Sequence, residues 1–159
     1  MKCNPKAAMI LAGCLVTPAF SQQELPVCAF LDRLVLEAEQ DFKSLRGPFD
    51  FSLSRYAGVL TTPGYTQCVT TVFGGSKKYE CRRRMPDDET AARVEWTRLA
   101  QEAQGCFTGR TGLVYRSERS FRFKTKPHGA DVSIRYQRLE LSAAPTHLVT
   151  VQVSTFESE

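Results

Sequence analysis

Apolar residues recur at steps of three and four from Cys28 onward, with Leu31, Val35, Ala38, Phe42 and Leu45 on one stripe and Leu34 widening it. Asp32, Glu37, Glu39 and Lys43 take the opposite side, so the stretch predicts an amphipathic helix. Pro26 suits its first turn, where a missing N–H costs nothing, and Gly47-Pro48 stops it. A second stripe, Ala92, Trp96, Leu99 and Ala103, predicts another helix after Pro86. Asp87 is its expected N-cap and Gly105 its C-terminal cap. Trp96 falls on the stripe and is expected in the core.

Elsewhere the period changes to two. Phe49, Phe51 and Leu53 alternate with polar residues and predict a short strand, followed by turn chemistry at Thr62-Pro63-Gly64. Cys68 to Phe73 and Ser76 to Arg82 flank Gly74-Gly75, the signal of a two-residue hairpin loop. Three strands, at about 119–126, 131–141 and 147–156, are joined by Pro127-His128-Gly129 and by residues 142–146, which predicts an antiparallel meander. Leu139 and Leu141 break its alternation, so a bulge is expected near Arg138. The order α-β-β-β-α-β-β-β predicts an α+β fold, with two helices packed on one face of an antiparallel sheet.

The first residues follow a different grammar. Lys2 and Lys6 precede the apolar run Ala7 to Val16, which is too short to span a bilayer, and Ala19-Phe20-Ser21 offers small residues for cleavage. Residues 1–21 are therefore expected to be a signal peptide and 22–159 a single exported domain, periplasmic or secreted, with no transmembrane segment after signal removal. Leu11-Ala12-Gly13-Cys14 resembles a lipobox, so lipidation at Cys14 and a membrane-anchored lipoprotein form the alternative. The apolar run continues past Cys14, which favours plain cleavage.

Losing that segment reduces six cysteines to Cys28, Cys68, Cys81 and Cys106, an even set that in an exported chain implies disulfides. A two-residue loop at Gly74-Gly75 pairs Phe73 with Ser76, and the same register places Cys68 directly opposite Cys81. Structural zinc pairs sit closer in sequence, and thioredoxin-like chemistry needs a C-x-x-C spacing that is absent. Cys28 and Cys106 then pair by elimination, joining the start of the first helix to the end of the second. No cofactor or metal site is expected.

Candidate chemistry is sparse. The chain lacks G-x-S-x-G, S-x-x-K, H-E-x-x-H and phosphate-loop motifs, and four paired cysteines leave no thiol nucleophile. His128 and His147 flank the strand 131–141, so about 30 Å of extended chain separates them. A small nuclease-like hydrolase using one or the other is kept as the alternative reading. The net charge of +4 falls to +2 without Lys2 and Lys6, yet eight Lys or Arg lie between Arg110 and Arg138 against Glu118 and Asp131. In strand 119–126, Phe121 and Phe123 point one way and Arg122, Lys124 and Lys126 the other. Arg135 joins the basic side from the next strand, beside Ser133 and Gln137. Lys77, Lys78 and Arg82-Arg83-Arg84 form a second basic cluster by the hairpin. Arg122, Lys124, Lys126 and Arg135 are thus the candidate contact residues of a non-catalytic binding or inhibitor-type domain, for an acidic protein or anionic envelope component. Nucleic acid fits less well, because the aromatic residues alternate inward and offer no stacking platform.

Overall fold

The computed structural model describes residues 21–140 and 145–156; the expected signal segment, with Cys14, lies outside them, as does Leu141. Two helices, α1 (Val27–Ala38) and α2 (Glu89–Cys106), pack on an eight-stranded antiparallel sheet. Its strands are β2 (Arg46–Asp50), β3 (Arg55–Gly58), β5 (Gln67–Phe73), β6 (Ser76–Pro86), β7 (Thr111–Arg116), β8 (Ser120–Thr125), β9 (Asp131–Glu140) and β10 (Pro145–Phe156). They lie in the order β2-β3-β5-β6-β10-β9-β8-β7. A small parallel pair, β1 (Gln23–Glu24) with β4 (Leu60–Thr61), ties down the chain before α1. The sheet is thus two meanders joined by one seam, β6 against β10. The last strand closes the centre rather than an edge.

The α+β class, the two helices and both disulfides agree with the sequence reading. Helix boundaries do not agree everywhere. The first helix ends at Ala38 and not near Leu45, because Asp41 and Phe42 adopt left-handed backbone (φ 59° and 55°) and a 3-10 turn follows at Lys43–Leu45. Phe42, at the N-cap of that turn, is fully buried and packs on Tyr79, so apolar spacing persists across a break in the helix. Cys28 flanks the buried stripe of Val27, Leu31, Leu34 and Ala38 and is itself exposed. The N-cap of α2 is Asp88, whose carboxylate accepts from Ala91 N–H at 2.7 Å. Asp87 instead turns the chain, at φ 54°, and its N–H bonds Pro145 O. The C-terminal cap is Phe107, two residues past Gly105 and buried in the core.

Two strands of the eight-stranded sheet, and the small β1–β4 pair, lie outside the sequence expectation. β3 and β7 are short, and β7 is an edge strand with Val114 and Tyr115 about half exposed, so neither shows inward alternation. Phe51 and Leu53 lie in the turn after β2 and are exposed, unlike the strand expected there. No bulge occurs at Arg138 either. β9 and β10 stay in one register from Glu140↔Pro145 to Asp131↔Ser154. Unbroken parity puts Leu139 on the helix-free side with Ser133, Arg135 and Gln137, where it is 38% exposed.

The core fills the space between helices and sheet. Trp96 is buried and its indole N–H donates to Ile134 O at 3.2 Å. Tyr79 stands between Phe30 and Phe42; its hydroxyl donates to Leu60 O at 2.6 Å and accepts from Leu60 N–H at 2.8 Å. Gly58 permits that approach, since a Cβ there would lie 2.3 Å from the Tyr79 hydroxyl.

A buried carboxylate locks α2 to the sheet. Glu95 accepts from Arg98 Nε and Nη2 at 3.0 Å, from Tyr65 Oη at 3.3 Å, and pairs with Arg83 at 3.1 Å. Burial pushes the Glu95 carboxyl up, but the Arg98 hydrogen bonds and the charges of Arg98 and Arg83 outweigh it and hold it below its ordinary 4.5. A depressed carboxyl contributes stability above its unfolded value, and the contribution is lost as pH falls below about 4.5 through the folded value. Glu95→Gln is expected to cost about 1–2 kcal/mol at pH 7, a modest figure because both arginines face solvent on one side. Urea denaturation at pH 7 and pH 3 checks this. The gap between wild type and variant should narrow at pH 3, and an unchanged gap would remove the Glu95 carboxylate from the acid response.

Candidate functional site

β-strand parity sorts the side chains of the sheet into a helix-packed face and a helix-free face. Three rows cross the helix-free side from β6 through β10 and β9 to β8. One row is Arg82, Thr150, Arg135 and Ser120; the next is Glu80, Gln152, Ser133 and Arg122, reaching Tyr115 on β7; the third is Lys78, Ser154, Asp131 and Lys124. The opposite side of the same strands is apolar: Phe121, Phe123, Val132, Ile134, Val149, Val151 and Val153 are all buried. This is the two-faced pattern expected of a sheet covered on one side.

Arg122 and Lys124 therefore stand where the sequence placed them, with Arg122 4.0 Å from Asp131. Arg135 shares their face but leans across two strands. Its Nη2 donates to Gln152 Oε1 at 2.6 Å and comes within 3.8 Å of Glu80. Lys126 follows the end of β8, and its side chain lies over Gly112, whose missing Cβ would sit 3.5 Å from Lys126 Cε. The four residues occupy one side of the molecule, but Arg135 is held in a network rather than free for a partner.

Glu80 is the member that the sequence reading missed. Its carboxylate is 3% exposed although it lies on the open face, because Arg82 (2.5 Å), Lys78 (3.6 Å) and Arg135 (3.8 Å) gather over it. A buried carboxylate under three cations orients them and lowers the local excess of positive charge. The second basic cluster divides by the same parity. Lys78, Arg82 and Arg84 join the open face, whereas Lys77 pairs with Asp41 at 2.9 Å and Arg83 with Glu95 on the helix-packed side. Two hollows of 330 and 260 Å³ share Tyr115, Arg122 and Asp131, and a third of 310 Å³ lies toward β3.

The histidines stay apart, at opposite ends of β9. His128 Nδ1 lies 2.5 Å from Glu39 Oε1 beyond the end of α1. His147 is 2% exposed, stacked on Tyr136 with its Nδ1 2.8 Å from the Tyr136 hydroxyl, beneath the first turn of α2. Arg93 covers the Tyr136 ring at 5.0 Å and donates to Glu89 at 2.8 Å. Burial and the Glu89 charge push the Tyr136 hydroxyl up. These groups bond one another around a closed ring stack, an arrangement that fastens α2 to β9 and β10.

No protein-family model matches this sequence, and neither a curated protein nor a solved structure is similar to it.

Proposed function

We propose that this protein is a non-catalytic binding or inhibitor-type domain that holds an acidic partner on the helix-free face of its sheet. The observation that carries the reading is the alignment of Arg122 and Lys124 beside the hollows at Tyr115 and Asp131, on a face no other element of the described fold covers. Two disulfides and a sheet of eight strands fix the backbone that carries those cations, so little backbone ordering is left to occur on binding. Opposite charge across such a surface speeds encounter and selects partners. The disulfides fit an oxidising compartment, periplasmic or extracellular, where an exported chain would meet such a partner. The alternative, a small hydrolase working through His128 or His147, draws less support. His147 is enclosed, His128 is engaged by Glu39, and the two stand at opposite ends of β9.

Reversing both charges, Arg122→Glu with Lys124→Glu, is the test. Stability should change by no more than about 0.5 kcal/mol per site, since both side chains are exposed. Association with an acidic partner captured from the envelope fraction should slow, most visibly at low salt, where charge acts over longer distances. Unchanged binding and unchanged salt dependence in surface plasmon resonance would reduce the row to a solvated face.

A further inference from the structure

The hollow toward β3 differs from the two beside β8. Its 310 Å³ are lined by Arg55, Gln67, Val69, Arg82 and Arg84, with no carboxylate in the lining among the described residues. The strands bring these residues together from distant parts of the chain. Gln67 of β5 lies opposite Arg82 of β6, and Arg84 lies two residues further along the same face. Arg55 comes from β3, which pairs with β5 on its other side. Val69, beside Ala57 and Glu80 in the register, supplies an apolar wall.

Two acids adjoin these arginines in the sheet, Glu80 beside Arg82 and Asp50 opposite Arg55. Glu80 accepts from Arg82 through Nε at 2.6 Å and Nη2 at 2.5 Å, which fixes the guanidinium and leaves Nη1 for another acceptor. Asp50 lies within electrostatic reach of Arg55, but its Oδ1 accepts from Ser52 N–H, Ser52 Oγ and Leu53 N–H at the turn after β2. Arg55 and Arg84 therefore bring positive charge to the hollow with donors to spare.

We propose that this hollow is a binding site for a phosphate or sulfate monoester. A carboxylate has two oxygens, which a single guanidinium fork satisfies. Three guanidiniums and an amide arranged around one space match a tetrahedral anion, whose three terminal oxygens each take donors from a different side. The volume lies at the lower end of the range for small-molecule sites and exceeds what a bare oxyanion fills. The remainder accommodates the carbon group that carries the anion, against Val69. This site goes beyond the acidic-partner reading, because it uses the β3–β5–β6 half of the face and none of the β8 cations.

Phenyl phosphate, phenyl sulfate and benzoate, titrated separately into the disulfide-intact protein and followed by amide and arginine Nε–H NMR, test the assignment. Phenyl phosphate, phenyl sulfate or both should give saturable shifts at Gln67, Val69 and Arg84, and their ratio identifies which ester is preferred. Arg84→Gln and Arg55→Gln should each weaken binding about tenfold or more, the scale of one lost charge-assisted hydrogen bond. Unchanged amide spectra away from the hollow show that these variants remain folded. The Arg122→Glu, Lys124→Glu protein should bind the esters through the same residues, which separates this site from the β8 row. Absence of saturable shifts, full affinity in both arginine variants, or benzoate binding as tightly as the esters would overturn the proposal.

Discussion

Replacing Cys28 and Cys106 together by alanine is expected to lower the unfolding free energy by about 4 kcal/mol. The bond joins the first turn of α1 to the last residue of α2, with Cα atoms 5.3 Å apart and a sequence separation of 78. Removing a link of that span frees much of the unfolded chain, and in the chain-entropy description the gain in the unfolded state appears as lost stability. The exposed polar contacts at that junction compensate little. Asp32 and Arg110 form an ion pair there at 2.9 Å, but both are about half exposed, and such pairs contribute about 0–1 kcal/mol. The Cys68–Cys81 bond spans only 13 residues and crosses a hairpin whose Gly74-Gly75 turn and register already hold it. Its removal should cost less, about 3 kcal/mol in the same description. Calorimetry should show the Cys28→Ala, Cys106→Ala protein melting about 10–20 °C lower than wild type. A loss below about 1 kcal/mol, or a non-reducing peptide map linking Cys28 to Cys68 or Cys81, would contradict the assignment.

The hairpin shows why local chemistry was legible. A two-residue loop closes a hairpin in few ways, glycine supplies the positive φ those ways need at Gly74 and Gly75, and once Phe73 faces Ser76 every pair as far as Gln67↔Arg82 follows, the cysteines included. The faces of β8, β9 and β10 were legible for the same reason: a period of two needs no knowledge of the partner strand. What could not be read was the order of strands. β10 enters between β6 and β9, and only that long-range pairing sets Glu80 beneath Arg135, or Arg82 and Arg135 on either side of Thr150. An isolated Glu in a basic strand carries no sign that cations from two strands will bury it. Arg55 was missed because β3 is four residues long and its alternation is too brief to register, although Arg82 and Arg84 were already on one face by parity. The early end of α1 has a related cause. Phe42 and Leu45 are buried as the helical spacing required, but tertiary contacts with Tyr79 reward burial whether or not the backbone between is helical.

Truncating Phe123 to alanine is expected to cost about 3–5 kcal/mol, while the neighbouring Arg122→Ala should stay within about 0.5 kcal/mol. The two residues adjoin in β8 and differ only in the face they take. Phe123 is 1% exposed, with ring centroids 5.2 Å from Phe107 and 5.5 Å from Phe121, opposite the buried Val132. Phe107 follows Cys106 directly and closes α2, so the disulfide and the aromatic cluster hold the same corner. Those neighbours are too constrained to collapse into the space left by a missing ring, and a cavity that persists adds its own cost to the lost burial. Phe123→Leu keeps more of the volume and should cost less than half as much as the alanine variant. Urea denaturation of the three proteins, with comparable m-values, gives the ranking. At temperatures where it remains folded, the Phe123→Ala protein should still bind an acidic partner through Arg122 and Lys124. A Phe123→Ala loss no larger than that of Arg122→Ala would mean that β8 is turned over, with the cations against the helices and the proposed binding face pointing inward.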